Sequence, residues 1–80
     1  MIVNYSNLGY AIHEIRQIKD MTQKEISEIC GVSISCISKL EKGLYDNITI
    51  DSLNSIFDAL GMSLELHIID KKVKNYVEHK

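Results

Sequence analysis

Residues 33 to 42, SISCISKLEK, gather three serines and two lysines in ten positions. On a helix Ser35 and Ser38 stand at i and i+3 and share one face. Both are small and are poor helix formers, so their presence there favours close approach to another surface. Their hydroxyls donate and accept hydrogen bonds, while Lys39 and Lys42 add positive charge. The plainer roles are structural: Ser33 as a helix cap, and the two lysines as cations that gain a few tenths of a kcal/mol at a helix C-terminus. Catalytic patterns are missing. His13 and His67 are lone imidazoles with no convergent Ser, Cys or carboxylate set, the carboxylates follow no paired spacing, and the glycines never cluster into a phosphate loop. No enzymatic activity and no cofactor are expected. Cys30 and Cys36 lie on opposite sides of a predicted turn, with no His at ligand spacing and no second Cys pair. They read as packing residues in a reducing cytoplasm, and no metal is expected.

The elements that must position this stretch belong to a chain of 80 residues with 45% hydrophobic content, too short to divide its apolar residues between two cores. A domain this small gains only a few kcal/mol from its core, so an oligomer interface would be a natural supplement. The net charge of −2 gives no overall attraction to polyanions, so any nucleic-acid contact must depend on where the lysines lie. Residues 71 to 80, KKVKNYVEHK, hold four of the nine Lys and Arg, leaving five bases against ten acids before them. That basic tail reads as a solvated end, with Val73, Tyr76 and Val77 suggesting a short helix or a partner-docking turn. No basic leader opens MIVNYSN, and no apolar run approaches the roughly 18 residues of a membrane span, so a cytoplasmic protein is expected.

Leu8, Ala11, Ile12, Ile15 and Ile18 recur at steps of three and four, which predicts a helix over residues 6 to 19 capped by Ser6 or Asn7. Asp20 and Met21 break the pattern. Thr22 can cap a second helix while Glu25 returns the bond to the Thr22 N–H. Ile26, Ile29 and Cys30 form its predicted buried stripe, and Gly31 suits a left-handed turn. Ser33 caps a third helix reaching about Glu41, with Ile37 and Leu40 inward, Val32 filling the corner and Gly43 ending it. After the loop LYDNI, Thr49 caps a fourth helix in which Leu53, Ile56, Phe57 and Leu60 recur at i, i+3, i+4 and i+7 before Gly61. From Ser63 the period changes to two: Leu64, Leu66 and Ile68 alternate with Glu65, His67 and Ile69, as in a strand with one buried face. The predicted fold is mainly α, with four helices over residues 6 to 61, a C-terminal strand within 62 to 70 and a basic tail over 71 to 80.

A lone apolar strand leaves a row of backbone donors and acceptors without partners and is an open template for association. Inside the chain the other candidate is the short run of residues 2 to 5. The favoured partner is the same strand of a second copy, joined antiparallel across a two-fold axis through Leu64, Leu66 and Ile68. The hairpin within one chain ranks second.

The run TQKEISEICGVSISCISKLEKG resembles the Xre-type helix-turn-helix proteins of lambda-repressor-like fold, and the likeness extends over residues 8 to 68. The ending LNSIFDALGMSLELHI is similar to the HipB-like antitoxins within that group. The resemblance implies a dimeric autorepressor that binds double-stranded DNA at a palindromic operator and also binds a HipA-like kinase toxin encoded beside it. Carried over by position, Gln23 would contact a phosphate, Ser33, Ile34, Ser35, Ser38 and Lys39 would face the major groove, and Lys42 would reach the DNA backbone. Arg16 and Glu41 match an ion pair tying helix one to helix three. Two features depart from the pattern. Relatives often place Arg or Gln where this chain has Ile34 or Ser35, and Ile34 can only touch a thymine methyl or support by packing. The loop after Gly43, with Tyr45 and Asp46, is also less basic than a phosphate-gripping loop. The alternatives are a stand-alone Xre-type regulator and a toxin-binding dimerisation module with little DNA binding.

Overall fold

The computed structural model describes residues 7–44, 48–71 and 76–77. Four helices follow in order, α1 (Leu8–Ile18), α2 (Gln23–Cys30), α3 (Ile34–Glu41) and α4 (Ile50–Ala59), and then two short strands, β1 (Ile68–Ile69) and β2 (Tyr76–Val77). None of the described helices is long and apolar enough to cross a membrane.

Three of the four helices begin on a hydroxyl, because the first N–H groups of a helix have no carbonyl one turn behind them. The Glu25 N–H donates to Thr22 Oγ1 at 3.0 Å and the Thr22 N–H donates to Glu25 Oε1 at 3.1 Å, a complete capping box. Ser33 Oγ accepts from the Cys36 N–H at 3.1 Å, and Thr49 Oγ1 accepts from the Ser52 N–H at 3.0 Å. Asn7 takes the cap position of α1 without a side-chain cap bond, and Ser6 lies outside the described residues. Between α2 and α3 the chain turns at Gly31, whose φ of 77° is open to glycine at little steric cost. Between α1 and α2 that role falls to Asp20, at φ 54°.

The core is formed by Leu8, Ile12, Ile26, Ile37, Leu40, Leu53, Ile56, Phe57 and Leu60, with Ile15, Cys30, Val32, Cys36 and Leu64 packed against it. α1 lies on α3, and α2 lies on both α3 and α4. The approach of α1 to α3 depends on Gly9, a residue whose place inside a helix costs about 1 kcal/mol relative to alanine. A Cβ there would lie 1.8 Å from the Leu40 carbonyl oxygen, so the two backbones meet at a separation that no side chain allows.

Two predicted core residues face solvent. Ile29 is 62% exposed, because Gln23, Ser27 and Cys30 all lie to one side of Ile26 and turn the inner face of α2 away from it. Ile18 is 76% exposed; it ends α1, where the chain leaves the core toward Asp20.

The C-terminal strand also differs from expectation. Residues 62–67 form no regular element, and the strand begins only at Ile68. Its partner is the tail of the same chain, antiparallel, with Ile68 opposite Val77 and Ile69 opposite Tyr76. Leu64 instead tucks against the helical core, which holds the segment after Gly61 to the domain and prevents the alternating residues from lying in one free strand. Leu66 and Ile68 are exposed. Tyr76 and Val77 belong to β2, not to a short helix, and the candidate hairpin partner at residues 2 to 5 lies outside the described residues.

Candidate nucleic-acid interface

α3 has two opposite faces. Ile37 and Leu40 are fully buried, while Ile34, Ser35, Lys39 and Lys42 are exposed and Ser38 is half-buried. The structure therefore brings five of the seven predicted contact residues onto one outward surface, with Ser33 exposed just before it. Ser33 Oγ uses one of its two lone pairs in the cap, which leaves the O–H as a donor and one further acceptor position.

The only acid in α3 is Glu41, and it is turned inward: 7% of its side chain is exposed. Arg16 reaches it from α1 as a fork, with Nε donating to Oε2 at 2.8 Å and an Nη2 hydrogen to Oε1 at 2.9 Å. The remaining arm of the guanidinium, Nη1, donates to the Met21 carbonyl at 2.9 Å, which fixes the turn between α1 and α2. Such bidentate charged pairs add orientation as well as energy. His13, one turn before Arg16, places Nδ1 2.8 Å from Glu41 Oε1. Burial pushes the Glu41 carboxyl up, but hydrogen bonds from Arg16, His13 and Gln23 and the Arg16 charge outweigh it and hold the group below its ordinary value. Hydrogen bonding to Glu41 in turn raises Arg16. An acidic chain thus presents on α3 an outward face whose formal charges, Lys39 and Lys42, are both positive.

The Arg16–Glu41 pair is where the sequence resemblance placed it. The participation of His13 and Gln23 was not anticipated; the signal for His13 was its position three residues before Arg16 on one helix face. Gln23, half-buried at the start of α2, is also near enough to Glu41 to help hold its carboxyl low. Cys30 and Cys36 are free, half-buried thiols beside the core, and Cys30 Sγ accepts from the Val32 N–H at 3.4 Å, which stiffens the turn into α3.

Residues 3–69 match a family model described as a helix-turn-helix domain. No curated protein matches the chain. Among solved structures, the chain is similar to the restriction-modification controller protein C.Esp1396I, solved as a tetramer in complex with its natural 35 base-pair operator. The identity is 32%, the match covers 74% of this chain and 76% of that one, and the TM-score is 0.66. The wild-type form of the same controller protein gives the same figures. A variant of it with one tyrosine replaced by phenylalanine matches over 73% of its length, again at 32% identity and a TM-score of 0.66.

Proposed function

This chain belongs to the helix-turn-helix domain family, and on that premise we propose that it is a cytoplasmic transcription regulator that binds double-stranded DNA as a dimer, with α3 in the major groove. The supporting observation is the outward face of α3: short hydroxyls and one isoleucine at its N-terminal end, two lysines at its C-terminal end, and its single acid neutralised inside. Low overall charge is compatible with this role, because half or more of protein–DNA hydrogen bonds go to phosphate and sugar, many from backbone N–H groups at helix N-termini. The likeness to a controller protein solved on its operator supports both DNA binding and self-association. The chain is assigned as a stand-alone regulator that represses its own operon, and no enzymatic activity is proposed for it.

The subunits are assigned to meet through residues 62 to 70. Met62, Leu66 and Ile68 are exposed there, and covering them in a second copy removes apolar surface from water. The same patch supports a second reading, an antitoxin that docks a HipA-like kinase toxin, which the resemblance of LNSIFDALGMSLELHI motivates. The two differ in whether a kinase co-purifies from cells expressing the intact operon.

The main proposal is tested by selecting duplexes from a random pool with the purified protein. Enrichment of a palindrome is expected, with half-sites one helical turn, about 34 to 36 Å, apart. Folded protein that enriches no sequence would overturn it.

A further inference from the structure

We propose that Ile34 is a specificity-determining residue that reads thymine through its 5-methyl group. This inference rests on the assignment of α3 to the major groove. From the sequence, Ile34 had two roles open to it, packing or a methyl contact. The structure separates them: Ile37, one turn later, is fully buried, whereas Ile34 remains 44% exposed and lies outside the core cluster. It is also the first residue of α3, directly after the Ser33 cap, and it is the N-terminal residues of a groove helix that meet base edges.

The chemistry then selects the base. An aliphatic side chain makes no hydrogen bond, and in the major groove the thymine methyl is the apolar feature among the four bases. Set against a guanine, adenine or cytosine edge, Ile34 would strip water from a donor or acceptor and offer no bond in return. The neighbours do not supply a competing preference at this position. Ser33 Oγ accepts the cap bond, and the hydroxyls of Ser35 and Ser38 serve any base as donor or acceptor. Lys39, which can favour guanine, is five residues on, about 7.5 Å further along the helix axis. Discrimination at the base facing the start of α3 therefore falls to Ile34.

Deoxyuridine differs from thymidine at the base only by that methyl, so the test leaves the protein unchanged. In the duplex recovered by selection, each thymine is replaced in turn and affinity is measured by fluorescence anisotropy for the parent, Ile34→Ala and Ile34→Val. Burying one methyl is worth about 0.8 kcal/mol. One thymine per half-site should therefore show about fourfold weaker binding by the parent. Ile34→Ala should bind the two duplexes alike, with Ile34→Val in between. Indifference of the parent to every replacement overturns the inference while leaving groove binding intact, as does full uridine sensitivity in Ile34→Ala. Failure of the parent to bind any duplex would remove the groove assignment and the inference together.

Discussion

Replacing Glu41 by alanine is expected to leave most of the protein unfolded at room temperature. The substitution removes the partner of Arg16, whose side chain is 11% exposed and would keep only the Met21 carbonyl as a strong acceptor. Breaking a buried pair from one side costs about 3–5 kcal/mol, because the remaining charge stays desolvated. A domain of this size has about that much net stability in total. Urea unfolding followed by circular dichroism measures the loss, and a change under about 1 kcal/mol would show that the pair does not hold α1 to α3. A variant that replaces both partners with apolar residues, Arg16→Met with Glu41→Leu, should lose much less, since no charge is then stranded. The same pair sets the response to acid. The folded-state value of Glu41 lies below its ordinary 4.5, so its contribution is fully present above about pH 4.5 and is lost as the pH falls through the depressed folded value. Acid unfolding of the parent should begin below that pH, and Glu41→Gln should flatten the dependence there.

The second large effect is on DNA. Ser35→Glu combined with Lys39→Ala should abolish detectable operator binding while leaving the fold intact. Both residues are exposed, and neither side chain enters the core, so circular dichroism and unfolding midpoints should match the parent. At the interface the change removes one cation and adds one anion per subunit opposite a polyanion. Like-charge juxtaposition costs several kcal/mol, and a dimer incurs it twice, so a loss of at least about a hundredfold is expected. Lys39→Ala alone should weaken binding by less than the double substitution, since it removes a cation without adding an anion. If the chain also docks a toxin through residues 62 to 70, that binding should survive the double substitution. A double variant that shifts operator DNA as well as the parent would place the DNA surface elsewhere.

The parts of this structure that were legible in the sequence are those set by local chemistry. Thr22, Ser33 and Thr49 cap helices because a hydroxyl can bond an N–H three residues on, whatever the rest of the chain does. The outward placement of Ser35, Lys39 and Lys42 followed from the inward placement of Ile37 and Leu40 on the same short helix. What was not legible depends on neighbours distant in sequence. Ile29 fits an apolar stripe on α2, but where α3 and α4 pack decides which edge of that stripe is covered. Gly9 looks like a weak point in a helix until the Leu40 backbone is seen against it. His13 has no partner within its own helix turn other than Arg16, and its carboxylate lies 28 residues away. The alternation from Leu64 to Ile69 is real in composition, but Leu64 is captured by the helical core and the extended pairing starts four residues later, with the tail.

The assignment of α3 to the groove is tested most directly by titrating the selected operator duplex into isotope-labelled protein and following backbone amide shifts by NMR. The largest changes are expected across residues 33 to 42 and at Gln23, with the amides of α4 nearly unmoved. Shifts concentrated in residues 71 to 80 or on α1, with residues 33 to 42 unchanged, would contradict it.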